Sequence, residues 1–258
     1  MSIEYLKGAE PLYLKGSEVG CLLLHGAGGG TAWDLKEFAG LLNQRLGLTV
    51  WLPTLKGFGT KPEDLLGITL DDWIADAKSG MDKLRQTCKT VVVVGHSVGG
   101  LLALLLAAES GDVQALVVWS TPLRVRDKRV PLLSAISRIP LLRRAIPERI
   151  PAVVPEEIRQ QGWVGYDWIP SDVGFALVDG IKRLERSLRS VRCPIAIMQG
   201  ARDSVVSEDS PRMIHDGVAS SVKELWFIED ADHPMMNEIR HKDELFSRSL
   251  AFIEQVIR

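Results

Sequence analysis

Two kinds of apolar segment alternate along most of the chain. Short runs of Val, Leu and Ile are typical of strands buried on both faces of a parallel sheet. Longer segments with apolar residues three and four apart are typical of helices packed on such a sheet. The predicted strands span residues 12–14, 19–24, 48–52, 91–94, 113–119, 194–199 and 222–228. The predicted helices run from a capping Thr31 to 46 and from a capping box at Thr69 to 85, and three others begin near residues 101, 207 and 242. This alternation predicts an α/β fold with helices flanking a mostly parallel central sheet.

The regular alternation stops between residues 122 and 189. This stretch contains no strand-like run, and its apolar residues suit only short helices. Its prolines are Pro122, Pro131, Pro140, Pro147, Pro151, Pro155 and Pro170. We therefore predict a small helical cap at 122–189, inserted into a core formed by residues 1–121 and 190–258.

The stretch most informative about chemistry is Gly-His-Ser-Val-Gly, residues 95–99, between a strand of valines and an apolar helix. A sharp strand-to-helix turn would direct the central Ser97 out of the sheet, and glycines are needed on both sides because backbone passes close by. The N–H of Val98 would then lie at a helix N-terminus, where it can donate to a developing oxyanion. The motif predicts a nucleophilic serine and half of an oxyanion hole.

A serine nucleophile needs a base, and an imidazole base needs an acceptor that fixes its tautomer. His233 follows a predicted strand, at the sheet edge where parallel α/β proteins bind ligands, so we assign it as the base. Asp203 follows another strand at that edge and is favoured as the acid over Asp232, because side chains of adjacent residues in an extended turn diverge. The other histidines are assigned to bracing glycine-rich joints (His25, His96) or to surface helices (His215, His241).

A second glycine-rich joint, His-Gly-Ala-Gly-Gly-Gly at residues 25–30, follows the strand at 19–24. Glycines before a helix can cradle a pyrophosphate, so a dinucleotide site is the rival interpretation. The spacing does not fit, because Thr31 stands where a third glycine is required. The next strand also ends in Pro53, without an acidic residue for a ribose. We therefore expect no nucleotide, and nothing else in the sequence indicates a cofactor.

Composition narrows the choice of partners. The 258 residues carry a formal net charge of −2 with both signs interspersed, which gives no reason to expect nucleic acid. The first residues lack the apolar stretch of a secretory signal, and no uncharged apolar run approaches roughly 18 residues, so stable membrane insertion is not expected. Cys21, Cys88 and Cys193 are odd in number and far apart, which predicts buried reduced thiols rather than disulfides or a zinc site. The sequence thus predicts a metal-free cytoplasmic protein and leaves its oligomeric state open.

The order Ser97, Asp203, His233 is that of the α/β-hydrolase triad. With its surrounding motifs, the chain resembles α/β-hydrolases of the bacterial carboxylesterase and monoacylglycerol lipase group. The motifs are Leu-Leu-Leu-His-Gly at 22–26, Trp33, Pro-Glu-Asp-Leu at 62–65 with Trp73, Gly-His-Ser-Val-Gly-Gly at 95–100, Gln-Gly-Ala-Arg-Asp at 199–203 and Asp-His at 232–233. The resemblance implies an α/β-hydrolase fold, with the N–H of Ala27 as the second oxyanion donor and that of Gly28 as the alternative.

Together, the residues and the resemblance imply a serine hydrolase that acts through an acyl-enzyme on Ser97. Its expected partner is a small-molecule ester, either a short- to medium-chain acyl ester or a monoacylglycerol. Carbon–carbon bond hydrolases, thioesterases and perhydrolases use the same triad and remain alternatives, as does a hydrolase-like protein that binds a ligand without turnover. The residues expected to line the substrate pocket are Trp33, Phe58, Trp163 and Trp168.

Overall fold

A mostly parallel sheet forms the centre of the computed structural model, which describes residues 3–137, 139, 146–152 and 154–258. The strands are β1 (Leu12–Leu14), β2 (Val19–Leu24), β3 (Thr49–Leu52), β4 (Thr90–His96), β5 (Ala115–Trp119), β6 (Arg149–Pro151), β7 (Trp168–Pro170), β8 (Ile195–Gly200) and β9 (Lys223–Ile228). Within the described residues, seven of them form one sheet in the order β1-β3-β2-β4-β5-β8-β9. In this sheet β1 is antiparallel to β3, and the other neighbours are parallel. The predicted α/β fold class is confirmed.

Helices cover both faces of the sheet. In the described part of the chain they are α1 (Lys36–Leu46), α2 (Leu70–Arg85), α3 (Val98–Ser110), α4 (Arg129–Ser137), α5 (Glu156–Gln160), α6 (Ser171–Ser187), α7 (Asp209–Gly217) and α8 (Lys242–Ile257). One hydrophobic cluster joins α1 and α8 to one face of the sheet. The other joins α2, α3, α6 and α7 to the opposite face. The result is a three-layer arrangement with the sheet in the middle.

Strand β4 and helix α3 lie at the centre of these layers. Val91 and Val93 contribute to one hydrophobic cluster, and Val92 and Val94 to the other, as the twofold alternation of a strand requires. Helix α3 is buried from Val98 to Ala107, because it is enclosed between the sheet and the neighbouring helices. The strand-to-helix junction at Ser97 is therefore held between two well-packed elements.

The segment 122–189 differs from the sequence-based expectation. It contains a two-stranded antiparallel hairpin of β6 and β7 and the 17-residue helix α6, so the prediction of no strands and only short helices is wrong. The strands were missed because each has three residues and ends at a proline. The long helix has apolar residues at helical spacing, and its buried side chains, such as Ala176 and Leu184, join the core beside α3. Of the apolar positions that suggested short helices, Leu141 and Leu142 lie outside the described residues.

Three further findings concern membrane-spanning helices, candidate metal ligands and the cysteines. None of their helices is long and apolar enough to span a bilayer. Over the same ranges, no group of three or more His, Cys, Asp or Glu side chains has an arrangement that could hold a metal ion. Cys21 and Cys88 are buried free thiols, and Cys193 is a half-buried one.

Candidate active site

Ser97 occupies the sharp turn between β4 and α3. Its backbone has φ 55° and ψ −119°, an unusual conformation for a residue with a side chain. A hydrogen bond ties this turn to the neighbouring strand, since the Ser97 N–H donates to the Trp119 carbonyl over 2.8 Å. A Cβ on Gly95 would collide with the backbone at Gly99, and one on Gly99 would collide with the Leu24 carbonyl. Glycine is therefore required on both sides of the serine.

His233 and Asp203 form the second part of the site, on the turns that follow β9 and β8. The Nδ1 atom of His233 lies 3.1 and 3.0 Å from the two carboxylate oxygens of Asp203, which is fully buried. The Val205 and Val206 N–H groups donate to the same carboxylate over 2.9 and 2.7 Å. Burial raises the pKa of Asp203, but the hydrogen bond and the electrostatic attraction of the His233 ring and the hydrogen bond of the Val206 N–H outweigh it and keep this pKa below its usual value. Asp203 is held as a carboxylate that orients the imidazole.

Asp232, the competing candidate, has a different contact. Its Oδ1 accepts the backbone N–H groups of Ser204 and His233, each over 2.7 Å. It therefore ties together the two turns that carry Asp203 and His233. Asp203, and not Asp232, is the carboxylate that contacts the His233 ring.

The two histidines beside the glycine joints brace backbone, as predicted. The Leu55 N–H donates to His25 Nε2 over 3.0 Å, so Nδ1 carries the proton and donates to the Gly26 carbonyl over 2.7 Å. His96 Nε2 donates to the His233 carbonyl over 3.1 Å. Burial lowers the pKa of His25 to about 4 and is the main cause that lowers the pKa of His96 to about 3, so both rings stay neutral. They fix the loops on either side of Ser97.

The backbone N–H groups predicted to bind the oxyanion belong to Ala27 and Val98, with Gly28 as the alternative. Val98 begins α3, so its N–H lacks an acceptor within the helix. Ala27 is buried directly after the pair His25-Gly26, and no acceptor for its N–H lies among the described residues. Gly28, the alternative donor, lines the pocket, and a Cβ there would contact nothing. Ala27 and Val98 are not among the residues that line the pocket, so their part in binding a ligand oxygen stays a prediction.

Ser97 and His233 line the same pocket, which has a volume of about 130 Å³. Its walls include the glycine joint, the turn after β9 and part of the predicted cap, with Val154, Pro155, Ile158 and Trp163 on the cap side. Within the described residues, no hydrogen bond joins the Ser97 hydroxyl to the His233 ring. A hydrogen bond between a nucleophile and its base often reaches good geometry only in the reacting complex.

The aromatic residues predicted to line the pocket lie in different places. Trp163 lines it, and its indole N–H donates to Asp34. Phe58 is buried behind the site, where its ring packs edge-on against His25 and stacks with Tyr166. Trp33 and Trp168 are also not among the pocket residues; Trp33 lies beside Gly8, and Trp168 packs under the Arg149 guanidinium. The prediction that these three side chains line the pocket is therefore not matched by their positions.

One pocket residue that sequence reasoning missed is Asp34. Its side chain is 6% exposed, and its Oδ1 accepts the Trp163 indole N–H and the Asn237 amide over 3.2 and 2.8 Å. Burial raises the pKa of Asp34 to about 7, although the hydrogen bonds of Asn237, Trp163 and the Thr31 backbone lower it. The available signal was the capping-box spacing from Thr31 to Asp34. Its contact partners are distant in sequence, so spacing alone does not reveal its place in the pocket.

Comparisons with known proteins identify the family to which the chain belongs. Residues 18–240 match the family described as "Serine aminopeptidase, S33". The thermostable monoacylglycerol lipase of Bacillus sp. (strain H-257) is 29% identical over 235 residues, 90% of each chain. The carboxylesterase of Bacillus subtilis (strain 168) is 23% identical over 96% of this chain and 97% of its own. A structure from work on the metagenome-derived lipolytic enzymes LipS and LipT superposes with a TM-score of 0.87 at 30% identity, over 98% of this chain and 100% of its own. The chain therefore belongs to the serine aminopeptidase S33 family and is an enzyme of the serine-hydrolase type with the α/β-hydrolase fold.

Proposed function

We propose that this enzyme hydrolyses carboxylic esters through an acyl-enzyme on Ser97. The observation that carries the proposal is the hydrogen bond from His233 Nδ1 to the buried Asp203 carboxylate, in a pocket that His233 shares with Ser97. An imidazole held in this tautomer has Nε2 available to accept a proton. A strained serine at a helix N-terminus supplies the nucleophile.

The proposed reaction has two steps of the same kind. Ser97 Oγ attacks the ester carbonyl carbon while His233 Nε2 takes its proton, and the N–H groups of Ala27 and Val98 bind the negatively charged oxygen. The tetrahedral intermediate then expels the alcohol, which receives the proton from His233. In the second step, water attacks the acyl-enzyme and loses its proton to His233. Release of the acid returns that proton to Ser97.

The proposed substrates are short- to medium-chain acyl esters or monoacylglycerols. The names of the relatives support an ester substrate, since one is a monoacylglycerol lipase and another a carboxylesterase. The pocket supports a small, mainly apolar acyl or alcohol group, because it is small and has Val154, Ile158 and Val205 among its walls.

The test is hydrolysis of p-nitrophenyl acetate, butyrate and octanoate and of a monoacylglycerol. We expect turnover by the wild type and a fall in kcat of at least about 10⁴-fold in Ser97→Ala, because the nucleophile is removed. Asp203→Asn is expected to lose about 10⁴-fold, because the imidazole tautomer is no longer fixed. Ser187→Ala is the control, since this hydroxyl bonds the backbone of α6 outside the pocket.

Labelling with a fluorophosphonate separates the remaining alternatives. A wild type that neither hydrolyses the esters nor takes the label on Ser97 would be a ligand-binding protein, against the proposal. Labelling of Ser97 with turnover only of thioesters or of carbon–carbon bond substrates would retain the nucleophile and replace the substrate class.

A further inference from the structure

Asp34 joins three separate parts of the site through one oxygen atom. Asp34 itself follows the glycine joint, Trp163 belongs to the predicted cap, and Asn237 lies four residues after His233. Both donors bond the same Oδ1, and all three side chains line the pocket with Ser97. The Asp34 carboxylate therefore contacts both the cap wall, which is the side of the pocket formed by Val154, Pro155, Ile158 and Trp163, and the turn that carries His233.

The strap, residues 161–166, runs across this junction. The Tyr166 N–H donates to the Gly29 carbonyl over 2.9 Å, and the Thr31 hydroxyl donates to the Val164 carbonyl over 2.7 Å. At its other end, the Gln161 amide donates to the Asn237 carbonyl over 3.0 Å. The strap thus contacts both the loop of the oxyanion donors and the turn after His233, and Asp34 lies between these two attachments.

The contacts of Asp34 are those of a positioning group rather than of an ion pair. Its bonded partners are N–H donors, and no Lys, Arg or His nitrogen of the described residues lies within 4.0 Å of its carboxylate. A buried carboxylate of this kind costs free energy unless its hydrogen bonds are well formed. The Asn237 N–H also closes a turn onto the Pro234 carbonyl over 2.8 Å, directly after His233. A displacement of Asn237 would consequently reach the imidazole.

We propose that Asp34 is a positioning residue for the reaction: by holding Trp163 and Asn237 on one oxygen, it sets the cap wall and the His233 turn in their working geometry. The role rests on the proposed function, because the geometry that it sets is that of the ester hydrolase. Asp34 does not touch the reacting atoms in this role, so its effect must pass through the residues that it contacts, of which Trp163 and Asn237 line the pocket.

A double-mutant cycle tests this dependence. The variants are Asp34→Ala, Trp163→Phe, their combination and Asp34→Asn, with kcat and KM measured for p-nitrophenyl butyrate and the rate of Ser97 labelling measured with a fluorophosphonate. Trp168→Phe is the matched control, because this indole lies outside the pocket.

We expect Asp34→Ala to lower kcat and the labelling rate about 10- to 100-fold, with KM changed less than about threefold, because small misplacements of catalytic groups have effects of this size. Asp34→Asn is expected to recover most of the loss, since its amide oxygen can accept both N–H groups. Trp163→Phe is expected to slow the wild type and to add nothing in Asp34→Ala, whereas Trp168→Phe leaves both rates unchanged.

Independent, additive losses in the combination would overturn the positioning role, as would wild-type rates in Asp34→Ala. If Asp34→Ala does not fold, Trp163→Phe is compared with Trp168→Phe, both in the wild type and in Asp34→Asn. Equal labelling rates for Trp163→Phe and Trp168→Phe would overturn the positioning role. A wild type without hydrolysis or labelling contradicts the proposed function, whereas an active wild type matched by its Asp34 variants contradicts only the positioning role.

Discussion

The ionisation of Asp34 is expected to make the stability of the protein fall as pH rises, and Asp34→Asn is expected to remove that dependence. In the unfolded chain this carboxyl ionises near its ordinary pKa of 3.8, whereas burial holds its folded-state pKa at about 7. Between these values the folded state binds more protons than the unfolded state. Unfolding therefore releases a proton, and increasing pH favours it.

The size of the effect follows from the width of this interval. Each pH unit between the two pKa values corresponds to about 1.36 kcal/mol of free energy of unfolding. From pH 5 to pH 7 the carboxyl is thus expected to remove about 2.3 kcal/mol, because it is already half-ionised in the folded state at pH 7, and about 0.4 kcal/mol more by pH 8.5. The 6% exposure of the side chain leaves solvent little opportunity to screen this charge.

The assay is reversible urea unfolding of the wild type and Asp34→Asn at intervals from pH 5 to pH 8.5. The difference in free energy of unfolding between them isolates this group, because both proteins share every other titrating residue. We expect the difference to shift by about 2.5 to 3 kcal/mol in favour of Asp34→Asn as pH rises, whatever its value at pH 5. A difference that stays constant over this range would refute the reasoning, since the carboxyl would then be ionised equally in both states.

Two further predictions concern the backbone around the nucleophile. Gly99→Ala is expected to lower the free energy of unfolding by about 1–3 kcal/mol, because its Cβ would collide with the backbone at Leu24. Gly40→Ala in α1, where a Cβ has space, is the control. Equal urea midpoints for the two variants would contradict a steric collision at Gly99. Burial lowers the pKa of His25 from 6.5 to about 4. Between these two pH values the unfolded state takes up a proton at this residue and the folded state does not. As pH falls from 6.5 to 4, the wild type is therefore expected to lose about 3 kcal/mol of free energy of unfolding relative to His25→Gln. Parallel pH profiles of unfolding for these two proteins would count against a neutral, buried imidazole.

Much of the sheet could be predicted from local sequence. The unbroken valines of β4 predict a strand that is buried on both faces, as the structure shows. The capping box at Thr69 predicts the start of α2, and both of its hydrogen bonds are formed. The closeness of Asp203 to His233 also followed from sequence, because carboxyl ends of parallel strands meet at one edge of a sheet. These features depend on periodicity and topology, which a single sequence carries.

The remaining features depend on contacts between distant residues. The helix expected directly after Thr31 begins as the 3-10 turn Ala32–Leu35 and becomes regular only at α1. Phe58 and Trp163 are both large aromatics, yet packing directs one behind His25 and the other into the pocket. Asp34 has no sequence neighbour that marks it as part of the site. Its partners are 129 and 203 residues away along the chain.

The pocket is formed by two separate parts of the chain, and this has a consequence for redesign. Ser97, Asp203 and His233 stand on turns of the sheet, whereas residues 154–163 supply a wall from outside it. If the proposed function holds, exchanging that wall for the corresponding stretch of a relative would alter which esters fit while leaving Ser97, Asp203 and His233 in place. The graft has one constraint: a replacement without an N–H donor at position 163 needs a compensating change at Asp34, so the two sites must be exchanged as a unit.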